Sequence, residues 1–411
     1  MAYFGGEDPI YSLTIIGNGF DLSLGAKTRY EDFFNCLKSA FESDTSEQFV
    51  NSLEHEFVNE DNLSLLSDFF RLVKDAKDNF FVNYFINYNK AFDNWVSFET
   101  ELTRIIRSFD LMLSLLNDSQ SFELLPETFY FHILDEMELM SVIDVYPNNK
   151  FFQSETESLH PFDDTGLQDA IIFEICGGKF SNKCETYKTI ADFTNSFPKD
   201  LYKDLCVFSD LFVSYLLAVE NFRNEGIVFG PILDSDFFIN YNYTNYLDLM
   251  LSSSGCTPLD IIHINGKVSH SSERPHNRIV FGIDSNTELK NVGFDVFTKT
   301  IQRSLYETDV CRLSRFLDNN IGLINVYGHS LSLADCESLR YVFDRCEEGG
   351  KPTIKIYCLN ELAKIEIVNN LRRILGKNRF DAYQRENKLF FPYSKEAIVR
   401  KKNKTEGDTD R

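Results

Sequence analysis

Small polar residues cluster repeatedly in this chain where short apolar runs end. After Leu13–Ile16 come Gly17, Asn18, Gly19 and Asp21, with Thr28 a few residues on. After Phe237–Tyr241 come Asn242, Tyr243, Thr244 and Asn245, and the next run gives His263, Ile264, Asn265 and Gly266. Gly282-Ile283-Asp284 and Gly328-His329-Ser330 close two further runs, with Asp335 a turn beyond the second, and Asn360 follows the last. If the runs are parallel strands, all these residues lie at the carboxyl edge of one sheet, where open α/β sheets bind their ligands. A turn such as Gly17-Asn18-Gly19 lets backbone approach a phosphate and aims the amides of a following helix at it. The same residues also make ordinary tight turns and helix caps, and Leu22 stands where the dinucleotide fingerprint has its third glycine. The set as a whole points to a polar ligand pocket.

The elements that must carry these residues fall into two textures. From about 28 to 225 the spacing is helical: Leu66, Phe69, Phe70, Val73, Phe80 and Tyr84 recur at helical intervals, as do Trp95, Phe98, Leu102, Ile105, Ile106 and Phe109. A polar stretch between about 147 and 200 reads as loop with short helices. From about 236 short strands alternate with helices: Phe237–Tyr241, Ile261–Ile264, Ile279–Phe281, Gly322–Tyr327 and Thr353–Leu359, with helices at Leu333–Phe343 and Glu361–Leu375. The first strand finds no partner before residue 230, so it is expected to join the later sheet. The expected organisation is an α/β domain of residues 1–30 plus 230–398, a helical insertion over 31–229, and a disordered tail from 399 to 411.

Composition narrows the functional classes. The 411 residues include 39 phenylalanines and are 43% hydrophobic, enough for more than one packed core. Against 41 basic side chains stand 63 acidic ones, a formal net charge of −22 that repels a nucleic-acid backbone. Nine dispersed cysteines without a Cys-x-x-Cys pair fit reduced thiols of a cytoplasmic protein, none of them catalytic. Seven histidines show no metal-ligand spacing, no signal peptide opens the chain, and no apolar run is long enough for a membrane. No metal, nucleic-acid or membrane partner is expected.

Several of these motifs, in this order, resemble the phage abortive infection family AbiH. They are Ile15-Ile-Gly-Asn-Gly-Phe-Asp-Leu22 with Gly25-Ala-Lys-Thr-Arg-Tyr-Glu-Asp-Phe33, Trp95-x-x-x-Glu99, Asn240-Tyr-Asn-Tyr-Thr244, His263-Ile-Asn-Gly266 with Phe281-Gly-Ile-Asp284, and Val326-Tyr-Gly-His-Ser-Leu331 with Asp335. More distantly, the same pieces resemble the sirtuin-like NAD-binding fold, a Rossmann-type parallel sheet. That resemblance implies an antiphage protein that binds NAD or a related nucleotide, as substrate or ligand, through Gly17, Asn18, Gly19, Asp21, Thr28, Gly328, Ser330, Asp335 and Asn360. It further implies hydrolysis of the ribosyl–nicotinamide bond by an NAD glycohydrolase-like mechanism, with Asn242 holding a ribose hydroxyl or the water and His263 or His329 as base. For Asp21 the alternatives are charge stabilisation of the sugar and a helix cap; for Glu99, a place in the cleft or an ion pair with an arginine. Sirtuin-like NAD-cleaving effectors carry a catalytic His-Gly pair where this chain has Asn265-Gly266. His263 then either reaches the same pocket, sharing a strand face at i and i+2, or is structural. The other functional readings are a non-enzymatic nucleotide sensor that signals through its helical lobe, and a hydrolase of another nucleotide or of nucleic acid. A homo-oligomer or a phage-derived trigger would complete the list of partners.

Overall fold

The N-terminal strand β1 (Tyr11–Ile16) is buried on both faces: Leu13, Thr14, Ile15 and Ile16 are all 0% exposed. A run of this kind is stable only inside a sheet covered on both sides. In the computed structural model, which describes residues 9–53, 58, 62–87, 95–117, 190–220, 227–229, 233–268, 279–284 and 287–400, β1 lies at the centre of such a sheet. Its neighbours are β3 (Phe237–Asn240) and β5 (Ile321–Tyr327), both parallel, in register Leu13↔Phe237 and Leu13↔Ile324. Beyond β3 lies β4 (Asp260–His263), and beyond β5 lie β6 (Thr353–Tyr357) and the short β7 (Leu389–Phe390). A separate antiparallel pair joins β2 (Ile227–Phe229) to β8 (Ile398–Arg400).

Numbered along the chain within the six-stranded sheet, the spatial order is third, second, first, fourth, fifth, sixth. This is the doubly wound, Rossmann-type order. The chain leaves β1 toward one edge and leaves β5 toward the other, so the winding reverses between their carboxyl ends.

Strand alternation sorts the two covering layers. Leu13, Ile15, Ile239, Ile262 and Ile324 pack with α10 (Val310–Leu317), α11 (Cys336–Glu348), α12 (Glu361–Leu375) and α13 (Lys377–Arg385). Ile16, Phe238 and Tyr327 pack with α1 (Gly19–Ser23) and α8 (Tyr246–Ser254). Each fully buried aliphatic or aromatic side chain contributes about 1.5–3 kcal/mol.

The chain divides into two compact units, one of Met1–Arg29, Leu216–Val280 and Arg303–Arg411, the other of Tyr30–Tyr215 and Phe281–Gln302. The first holds the parallel sheet. The second is helical: α2 (Tyr30–Glu42), α3 (Ser46–Ser52), α4 (Leu63–Asp75), α5 (Phe80–Asn87), α6 (Trp95–Asn117) and most of α7 (Ile190–Val219). Its interior is aromatic, with Tyr30 against Phe98 at 4.2 Å and Phe33 against Phe212 at 5.0 Å between ring centroids. Much of the chain's phenylalanine is used here. Glu99 is buried in this unit and pairs at 2.5 Å with Lys299, a lysine in place of the expected arginine.

Three local expectations change. Ile279–Phe281 is not a strand of the sheet. The Val280 N–H donates to the Asn265 carbonyl at 2.9 Å and its own carbonyl accepts the Tyr243 hydroxyl at 2.7 Å, so loop and side-chain groups satisfy its backbone without a strand neighbour. Helix α7 begins at Ile190, inside the stretch read as loop, while residues 147–189 of that stretch lie outside the described residues. Val399 and Arg400 belong to β8, and the expected tail from 401 lies outside the described residues.

Candidate functional site

The turns after β1 and β5 are in direct contact. The Gly17 N–H donates to the Tyr327 carbonyl at 3.0 Å and the Gly19 N–H to the Gly328 carbonyl at 2.8 Å. A Cβ on Gly19 would stand 2.7 Å from the Cα of Gly328, and one on Gly17 2.6 Å from the Cα of His329. Gly328 itself has φ +69°, the left-handed region. The space these glycines leave is therefore filled by the opposite turn, and the amide of Gly19 is bonded to it. Asn18 fixes the turn from outside, accepting the Thr28 hydroxyl at 2.6 Å and donating to the Thr28 carbonyl at 3.2 Å.

Two polar groups flank this contact within the sheet-bearing unit. The first gathers near the start of α8. Asn242 donates to Asp21 Oδ1 at 2.8 Å and to the Gly17 carbonyl at 3.1 Å, and Thr244 donates to Asp21 Oδ2 at 2.6 Å. Both amide hydrogens of Asn242 are thereby committed. Asn242 does not cap α8, which starts at Tyr246, and Asp21 lies inside α1, not at its cap. Burial pushes the Asp21 carboxyl up to about 7; the hydrogen bonds from Thr244 and Asn242 act against this, and the negative charge of Glu220 adds to it.

The second group lies beside Tyr241. Arg303, in α9 (Lys299–Leu305), donates from Nη2 to Asn265 Oδ1 at 2.9 Å and lies 3.7 Å from Asp335 Oδ1. The other Asp335 oxygen is 3.6 Å from His329 Nε2, and the His329 ring meets Tyr241 edge-on at 4.5 Å. The Leu331 N–H donates to His329 Nδ1 at 2.9 Å, so Nδ1 carries no proton and the neutral ring holds its proton on Nε2. In this geometry His329 is a donor facing Asp335. Burial, and then the charge of Asp335, push the Tyr241 hydroxyl up and keep it neutral.

A family model described as Bacteriophage abortive infection AbiH matches residues 13–355. The chain belongs to the AbiH family. No curated protein and no solved structure matches it significantly. Family membership implies antiphage defence by abortive infection, and the matched span runs from β1 to β6, through both polar groups. Among the described residues no three His, Cys, Asp or Glu side chains gather as a metal site, and no helix is long and apolar enough to cross a membrane.

The other residues singled out above, His263, Ser330 and Asn360, are held by other contacts. β4 ends at His263 and the chain turns at Ile264–Asn265, so the i, i+2 relation between His263 and Asn265 is lost. His263 shares the face of Ile261, toward α8: its Nε2 sits 3.1 Å from Asp248 Oδ2, while its hydrogen bond runs to Oδ1 at 3.4 Å. His263 Nδ1 has no hydrogen-bond partner among the described residues. Asp248 is partly buried, which opposes ionisation, yet hydrogen bonds from His263 and Lys267 hold its carboxyl below the usual range. Ser330 is exposed, and Asn360 is exposed at the start of α12, its side chain accepting the Ala363 N–H at 2.9 Å as an N-cap. Arg303 and Glu220, both buried, were missed from sequence. Their partners Asn265, Asp335 and Asn245 are distant in the chain, and nothing in the local spacing sets them apart from solvated charges.

Proposed function

We propose that this AbiH protein acts in abortive infection by binding NAD, or a related nucleotide, at the carboxyl edge of its parallel sheet and hydrolysing the ribosyl–nicotinamide bond. One observation carries the reading: the doubly wound strand order reverses between β1 and β5, and polar side chains gather on either side of that reversal. In the reaction a water oxygen bonds to the ribose anomeric carbon as the carbon–nitrogen bond breaks. Nicotinamide leaves with the electron pair, and a base takes the water proton. The transition state is oxocarbenium-like, so a nearby carboxylate such as Asp21 or Asp335 stabilises it. His263 has the arrangement of an oriented base, with Asp248 on Nε2 and a free lone pair on Nδ1. The Asn242 carbonyl oxygen accepts from a ribose hydroxyl or the water.

The test is incubation of the purified full chain with NAD, following free nicotinamide and ADP-ribose, beside calorimetric titration of NAD. Cleavage is expected, and Asn242→Ala is expected to lower it by about two to four orders of magnitude. Binding without cleavage favours the second reading, a nucleotide sensor. That reading draws support from Asn265, which stands where the resembling effectors have histidine and which here holds Arg303. Neither binding nor cleavage of NAD, NADP or ADP-ribose overturns both.

A further inference from the structure

Arg303 is only 5% exposed, yet its charge is loosely met. Its Nη2 donates to the neutral Asn265 Oδ1 at 2.9 Å, while the Asp335 carboxylate stands off at 3.7 Å, beyond hydrogen-bond length. Nε is buried with no hydrogen-bond partner among the described residues. A guanidinium cannot shed its charge, so this donor stays costly until an oxygen meets it.

Asn265 follows β4 and Asp335 follows the turn after β5, which sets Arg303 at the carboxyl edge beside the reversal of winding. The usual phosphate seat of such an edge is the glycine turn after the first strand. Here the Gly19 N–H is already bonded to the Gly328 carbonyl at 2.8 Å. The polar group at Asp21 offers an anion only the carboxyls of Asp21 and Glu220 beside the neutral Asn242 and Thr244. In a chain of net charge −22 a phosphate needs a local cation, and Arg303 is the only arginine or lysine of the two groups.

We propose that Arg303 is the anion-binding residue of the sheet edge, its Nε–H donating to a phosphate oxygen of a nucleotide's pyrophosphate. This rests on the nucleotide reading above and moves the phosphate from the Gly17–Gly19 turn to the group at Arg303. Asn265 holds the guanidinium by Nη2 and leaves Nε to the ligand. Asp335 competes with the ligand for the same charge.

Calorimetric titration of the full chain with inorganic pyrophosphate tests this. Binding is expected, weakening as salt rises, and ADP-ribose is expected to displace the pyrophosphate. Arg303→Lys keeps a charge beside Asp335 but lacks Nε, so its dissociation constant is expected to rise about tenfold or more, with circular dichroism checking its fold. Asp335→Asn removes the competing charge in a side chain of the same shape and is expected to tighten pyrophosphate binding about tenfold, a gain that a merely structural Arg303 would not give. A wild type that does not bind pyrophosphate overturns the proposal. So does a folded Arg303→Lys chain that binds it equally well, or an Asp335→Asn chain that binds it no more tightly. Cleavage of NAD without pyrophosphate binding strikes this proposal alone. Arg303-dependent pyrophosphate binding without binding of NAD, NADP or ADP-ribose strikes the nucleotide reading and leaves the anion site standing.

Discussion

Asp21 is a carboxyl group removed from water, and its titration has a consequence for the whole fold. Its pKa is raised to about 7 in the native state, first by burial, from an unfolded value of about 3.9. Between these values the folded chain holds a proton that the unfolded chain has released. Stability from this group is therefore present below about pH 4 and lost as pH rises through about 7, on the order of a few kcal/mol in total. Urea unfolding of the wild type and Asp21→Asn at pH 5, 6, 7 and 8 reads this directly. The wild type is expected to lose stability across the series relative to the variant, which cannot ionise; parallel curves would show that Asp21 is charged throughout.

At the scale of elements, the contact between the turns after β1 and β5 is the tightest feature of the sheet edge. Gly328→Ala introduces a methyl where a Cβ would stand 2.3 Å from the Phe20 backbone nitrogen, at a φ that L-residues rarely adopt. The expected loss is about 3 kcal/mol or more, seen as a lowered urea midpoint, against little change for Gly255→Ala beyond its own backbone strain, since nothing lies within 4 Å there. A Gly328→Ala protein as stable as the wild type would mean the two turns do not pack as described. Much of this element scale was legible beforehand. The apolar run before Gly17 and its lack of an early partner placed β1 in the later sheet, and the periodicity of Glu361–Leu375 matched the helix to the residue. What periodicity does not carry is which polar group a turn residue will meet. The spacing of Gly17 and Gly19 is the same whether a phosphate or Gly328 fills the gap. Val280 reads as strand because it is apolar and buried, although its backbone partners are a loop carbonyl and a tyrosine hydroxyl. Burial of Arg303 depends on Asn265 and Asp335, which no local window contains.

For the whole molecule the governing number is the net charge of −22. Such a charge destabilises the compact state by self-repulsion and is screened by salt. Raising sodium chloride from about 10 mM to about 200 mM shortens the Debye length from ~30 Å to under 10 Å, so the melting temperature is expected to rise across that range. A melting temperature that falls would show that local ion pairs, such as Arg312 with Asp260 and Arg379 with Glu347, outweigh the global repulsion.

The central position of β1 also sets a schedule. Ser12, in β1, is bonded to Asp236, 224 residues away in the chain. At ordinary synthesis rates the first strand leaves the ribosome roughly ten to sixty seconds before the residues that flank it on either side. Until Ile321–Tyr327 has emerged, its second neighbour does not exist and the winding has no point of reversal. A nascent or prematurely ended chain therefore has no assembled sheet centre; that centre is complete only after most of the message has been read.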